Sequence, residues 1–278
     1  MRNFFFAIVI FVLFGQTAEV WALPQRIVST SLASDEFLID ALTKAGQISR
    51  LLAVSPLADD KNYSNVWQSA KQIKHRAGRN VESILALRPD LVILASYNHP
   101  DTIKRYKLAK IKTLNLSAFH TIADLIKNMR VISEAVGLEG HDKEFINRLA
   151  KLTFPPPRGP RPNLIYFQES LRLPGKDTLF DASVNIAGGR NPIASTELSG
   201  WPKINLEYIS KVTINYIVTT ENPEILHAKL SKLPIWKNTE AVKKYRYISI
   251  PGAELGSTSH YLANAIKKIN LGIKQWPN

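Results

Sequence analysis

The chain has 278 residues, 45% of them hydrophobic and 21% charged, a balance that excludes a disordered polymer and allows one large domain or two of ordinary size. It contains no cysteine, so the expectation is a protein with neither disulfides nor a lipid anchor on an N-terminal Cys, stabilised by its core alone. The formal net charge of +13 favours anionic partners in general, but the basic residues come in ones and twos without a nucleic-acid-binding motif, and nucleic acid is not expected as a partner.

The first residues form a separate object. Arg2 is followed by an unbroken apolar run of 11 residues, Phe4 to Phe14, too short to span a bilayer. Val20 and Ala22 are the small residues before a cleavage site. Residues 1–22 therefore read as a secretory signal peptide, cut after Ala22. Its loss removes Arg2 and Glu19 and leaves the net charge unchanged. The expected location is the periplasm of a double-membraned bacterium.

The mature chain alternates strands and helices. A strand is predicted over Arg26–Thr30, then a helix capped by Ser34 or Asp35, and a second strand over Arg50–Val54. Asn80 to Ala95 (NVESILALRPDLVILA) reads as a capped helix, a stop at Pro89 and a strand buried on both faces. A loop, a helix from Asp101 to Ala109 and a strand over Lys112–Leu116 follow. Thr121 and Asp124 form a capping box opening an apolar helix that Gly137 ends, and His141–Leu152 continues as a second helix. The stretch FPPPRGPRP, residues 154–162, is extended and stiff. The pattern then restarts. A strand covers Asn163–Phe167, short helices cover Asp181–Ala187 and Pro223–Leu230, a strand covers Tyr245–Ile250, and Ser257 caps a last helix.

Within the second half, Asn205 to Thr220 (NLEYISKVTINYIVTT) repeats the Asn80 stretch without a gap at an offset of 125 residues. One repeat at this distance indicates two lobes built to one plan rather than a solenoid. The predicted class is α/β, with two lobes, each a mostly parallel sheet flanked by helices, joined by a long connecting helix. The lobes are assigned to residues 23–120 and 163–278, with 121–162 as connecting helices and Pro-rich linker.

No nucleophile elbow, zincin or phosphate-loop motif occurs, and the six histidines are scattered without metal-ligand spacing, so no catalytic or metal-binding residue and no cofactor is assigned. Ligands of open α/β sheets bind beyond the carboxyl ends of the strands. The loops there include Ser31, Tyr63, Ser96, Tyr97 and Gln168, a lining suited to a medium-sized polar or aromatic ligand.

The stretches NVESILALRPDLVI, GLEGHDKEFINRL and WKNTEAVKKYRYISI resemble the helical-backbone periplasmic binding proteins that deliver ferric siderophores, haem or cobalamin to ABC importers, and the resemblance covers residues 24–272. It implies two lobes joined by a helix, here His141–Leu152 followed by an unusually long Pro-rich stretch, with little hinge closure. It implies a monomeric, non-enzymatic carrier with a small metal complex and an inner-membrane permease as partners. It gives Glu82 and Glu207, one per repeat copy, the role of docking onto permease arginines. The plainer reading is that each complements its helix dipole, worth about 0.3–1 kcal/mol. It also matches Arg76, Tyr97 and Trp201 to residues that hold hydroxamate siderophores, with Arg79 and Arg190 as added positive charge. A ferric hydroxamate complex is therefore the favoured ligand. Cobalamin or haem is the alternative within the family, and a periplasmic metal-dependent enzyme on a related scaffold is the alternative of another class.

Overall fold

The computed structural model of the chain describes residues 23–155, 159–196 and 198–275, with only the backbone of Thr196 and Gln275. The signal peptide read over 1–22 and residues 156–158 of the Pro-rich stretch lie outside the described residues. The first half runs β1 (Ile27–Ser29), α1 (Leu32–Lys44), β2 (Leu51–Val54), β3 (His75–Arg76), α2 (Val81–Leu85), β4 (Leu91–Leu94), α3 (Pro100–Leu108) and β5 (Lys112–Asn115). Helices α4 (Ile122–Val136) and α5 (Lys143–Ala150) follow. The second half runs β6 (Leu164–Tyr166), α6 (Leu179–Ile186), α7 (Leu206–Lys211), β7 (Tyr216–Thr219), α8 (Pro223–Leu230), α9 (Glu240–Lys243), β8 (Tyr247–Ser249), α10 (Gly252–Leu255) and α11 (Leu262–Gln275).

All ladders are parallel. The first sheet has the order β3-β2-β1-β4-β5 and the second β6-β7-β8. The α/β class expected from the alternating pattern is thus the one the chain adopts. The two repeat copies fold alike. α2 and α7 begin at equivalent residues, and β4 and β7 coincide under the same offset, each buried along its whole length. The Asn80 side chain accepts the Glu82 N–H at 2.9 Å and the Asn205 side chain accepts the Tyr208 N–H at 2.7 Å, so both caps satisfy a first-turn donor.

Helix ends differ from expectation in two instructive places. The cap of α1 is Ser31, and Ser34 and Asp35 lie inside the first turn, fully buried. Ser257 does not cap the last helix, which begins at Leu262, because its hydroxyl is held by a carboxylate of the other lobe. Elsewhere local chemistry decides. Thr121 and Asp124 make the reciprocal capping box, and Gly137 closes α4 in the left-handed conformation at φ 69°.

The connecting helix expected over 141–152 is α5, eight residues long, and it packs against elements of both halves. Phe145 meets Phe37 of α1 edge-on at 6.3 Å, while Glu144 pairs with Lys44 at 2.5 Å and with Arg148 at 3.0 Å. One apolar cluster runs through both halves, from Phe37 and Leu42 of α1 through Leu125 and Phe145 to Val184 of α6 and Ile266 of α11. A shared core of this kind resists hinge opening, because separating the lobes would expose it.

Candidate functional site

The strands of both sheets end on a common cleft. Ser96 and Tyr97 follow β4, Ala118 to His120 follow β5, and Tyr166 ends β6. The entrance to α6 adds Asp177 to Phe180, the loop before α7 adds Gly200 and Trp201, and the segment after α10 adds Leu255 to Thr258. Together they enclose a cavity of about 410 Å³, within the range of small-molecule sites. Five of its walls are aromatic: Tyr97, Phe119, Tyr166, Phe180 and Trp201. The rings of Tyr166 and Trp201 meet at 6.2 Å and 73°, and those of Tyr166 and Phe180 at 5.8 Å. Burial pushes the Tyr166 phenol above its ordinary range, against hydrogen bonds with Thr220 and Gln168. The wall at Trp201 is held by backbone: Gly175 N donates to Gly200 O at 2.8 Å, and a Cβ on Gly175 would stand 2.3 Å from Leu198 O. Only glycine permits that approach.

Of the residues assigned from sequence, Ser96, Tyr97 and Trp201 line the cavity. Gln168 reaches it indirectly, through Tyr166. Tyr63 is exposed on the loop after β2, where Asn62 O approaches Gly252. Ser31 is buried, its hydroxyl 2.8 Å from that of Ser34. Arg76 turns away. Its Nε and Nη2 grip both oxygens of Asp59 at 2.6 Å, and its remaining bonds go to Ala70 O, Ile73 O and His75 O. This bidentate pair holds the Asp59 carboxyl below the usual range. Arg79 is exposed outside the lining, and Arg190 bonds Ser195 at 3.3 Å on another face of the second lobe. The lining residues Phe119, His120, Asp177, Phe180 and Thr258 were not anticipated. Phe119 and His120 follow β5, so applying the strand-end rule to that strand would have found them. Asp177 and Phe180 stand at a helix start and carry no such signal.

Beneath the cleft the lobes are tied by a buried carboxylate. Glu36 of α1 accepts Asn65 N at 2.9 Å and Asn65 Nδ2 at 2.7 Å on Oε1. Its Oε2 accepts the hydroxyls of Ser257 at 2.8 Å and Ser259 at 2.5 Å, from the other lobe. Asn65 Nδ2 also reaches Ala253 O at 2.8 Å, and His260 lies 2.9 Å from Asp40. Burial pushes the Glu36 carboxyl up, and these bonds pull it back. Its neighbour Asp35, also fully buried, is raised to about 7 by burial, against bonds with Ser29 and Ser55.

Glu82 and Glu207 are exposed on the first turns of α2 and α7, paired with Arg105 and with Lys211 respectively. Among the described residues no helix is long and apolar enough to cross a membrane, and no group of three His, Cys, Asp or Glu could hold a metal ion.

Two parallel sheets sharing one core, with a cleft across their strand ends, define a two-lobed α/β fold. A family model described as periplasmic binding protein matches residues 27–254, and the chain belongs to that family. The uncharacterized ABC transporter substrate-binding lipoprotein YvrC of Bacillus subtilis (strain 168) is 26% identical over 188 residues, 62% of this chain and 57% of YvrC. The Fe(3+) dicitrate-binding periplasmic protein FecB of Escherichia coli (strain K12) is 25% identical over 247 residues, 82% of this chain and 77% of FecB. The chain spans about half the length of the first curated relatives it matches. Among solved structures, the periplasmic heme binding protein HutB of Vibrio cholerae superposes with a TM-score of 0.73 at 18% identity, covering 89% of this chain and 98% of HutB, which shows the fold.

Proposed function

We propose that the protein is the extracytoplasmic solute-binding component of an ABC importer, holding a ferric complex in the cleft and presenting it to an inner-membrane permease. The observation that carries this reading is the cavity between the lobes, walled by five aromatic rings with hydroxyls between them. Such a wall suits an organic ligand sphere wrapped around a metal. No lysine or arginine is among the lining residues, which disfavours a polyanionic complex such as ferric dicitrate. A ferric tris-hydroxamate fits better, because three singly charged hydroxamates balance Fe(III). With Arg76 engaged by Asp59, the hydroxamate preference rests on this wall and not on that arginine. Haem or cobalamin is the second reading, favoured by His120 and Tyr97 in the lining, since imidazole and phenolate both ligate haem iron.

Titration of the mature protein with a ferric hydroxamate, ferric citrate, haemin and cobalamin, followed by tryptophan fluorescence, separates these ligands. Saturable quenching by the hydroxamate is expected, and Trp201→Phe should remove most of it, since Trp236 is buried away from the cleft. Quenching by haemin or cobalamin alone would move the protein to the second reading, and silence with every ligand would defeat the metal-complex assignment.

The exposed glutamates of the two repeat units are proposed to dock the protein on its permease. Their local partners, Arg105 and Lys211, are exposed and therefore weakly held, by about 1 kcal/mol or less, so exchange for permease cations is feasible. The double variant Glu82→Ala, Glu207→Ala should lower uptake about tenfold or more while leaving ligand affinity unchanged. Undiminished uptake would leave the glutamates as helix-dipole partners only.

A further inference from the structure

The sequence carries a formal net charge of +13, yet among the described residues the cleft lining holds one carboxylate and, beside His120, no basic side chain. That carboxylate is Asp177, at the wall formed by the entrance to α6. Its backbone has φ 60°, a conformation uncommon outside glycine, and the Ser199 hydroxyl donates to its Oδ2. The strand-like pairing of Lys176 with Ser199 fixes the same segment, so the carboxylate is positioned rather than loosely displayed. Tyr97, Phe119, Tyr166, Phe180 and Trp201 surround the space it borders.

Of the neighbouring positive groups, Arg172 donates to Trp201 O at 3.4 Å and Lys176 precedes Asp177, both exposed and outside the lining, and Arg76 is gripped by Asp59. The amino end of α6 faces this wall, but Thr178 caps it and Asp181 stands in its first turn, which offsets its positive dipole. Aromatic faces and a single carboxylate in a partly enclosed space attract a cation. The ring quadrupoles supply negative faces, and Asp177, exposed at the edge of the space, supplies the opposite charge.

We propose that the cleft selects a positively charged solute: a ferric hydroxamate bearing a free ammonium group, with the aromatic rings around the cation and Asp177 as its counter-ion. This inference rests on the ferric-hydroxamate reading above and adds the sign of the charge to it. It also explains how a strongly basic protein could hold such a ligand, since the attraction is local to the cleft.

The test compares ferrioxamine B, which carries a terminal ammonium, with its N-acetylated form, which has the same iron coordination and one positive charge fewer. The ammonium form should bind the mature protein about tenfold more tightly at low salt, with the ratio shrinking as salt is added. Asp177→Asn should weaken the ammonium form about tenfold and leave the acetylated form unchanged. Equal affinities of wild type for the two ligands would overturn the charge selection while leaving the hydroxamate reading intact. Binding of neither would overturn both. Equal weakening of both ligands by Asp177→Asn would show Asp177 to be a packing residue and overturn its role as counter-ion.

Discussion

Replacing Asp35 by asparagine is expected to flatten the dependence of stability on pH. The side chain is fully buried, with its carboxyl raised from 3.8 to about 7, chiefly by burial. The folded state therefore prefers the protonated form. The contribution to stability is fully present below the ordinary carboxylate range and is lost as pH rises towards 7. Moving a carboxyl from 3.8 to about 7 corresponds to about 4 kcal/mol, and most of that falls between pH 5 and pH 8. Asparagine keeps an acceptor for Ser55 N and Oγ, which now approach Asp35 Oδ2 at 3.0 and 2.5 Å, and it never ionises. In urea unfolding the variant should gain about 2–3 kcal/mol over wild type on going from pH 5 to pH 8. Glu36, the adjacent buried acid, remains in both proteins, so its own titration largely cancels in the difference. Parallel profiles for the two proteins would mean that Asp35 stays ionised in the folded state with the burial penalty already met by its hydrogen bonds.

Glu36→Ala should be among the most damaging single substitutions in the chain. Four donors converge on this carboxylate: two from Asn65 in its own lobe, and one each from Ser257 and Ser259 in the other. The serine hydroxyls can turn to other acceptors, but the Asn65 N–H cannot, and an orphaned buried donor costs about 1–3 kcal/mol. Loss of the tie between α1 and the segment after α10 adds to this, for an expected total of about 3–5 kcal/mol. Glu36→Gln retains one acceptor oxygen and should cost about 1–2 kcal/mol. Denaturant unfolding checks both values, and amide exchange should accelerate at Ser257 to Tyr261 in the alanine variant ahead of the rest of the second lobe. A loss below about 1 kcal/mol for alanine would show that the apolar cluster alone holds the lobes. Because Ser257 also lines the cavity, the alanine variant should bind its ligand more weakly as well.

The two residues have a common lesson. Sequence alone places the cap at Ser34 or Asp35, because their side chains are the usual ones for that task. The cap is Ser31, and the acids serve contacts with residues 20 and more than 200 positions away. Arg76 failed to reach the cleft for the same kind of reason. Asp59, in the loop after β2, presents both oxygens to its guanidinium, and nothing near Arg76 in the sequence announces that pairing. β3, a two-residue strand at His75–Arg76, was not anticipated either, since so short a run carries no periodicity to read.

By itself the sequence determined what depends on near neighbours. The caps at Asn80, Thr121 and Asn205 and the stop at Gly137 involve atoms within a few residues of one another. The runs Leu91–Leu94 of β4 and Ile217–Val218 of β7 are buried because aliphatic side chains cannot face water cheaply. The repeat of that unit was enough to imply two parallel sheets. The tertiary structure alone decided which strand-end residues share one space, that its lining holds Asp177 and no lysine or arginine, and that a glutamate in the first helix ties the two lobes together. Those properties belong to side chains whose partners lie far along the chain, and only the folded geometry brings their donors, acceptors and charges within reach of each other.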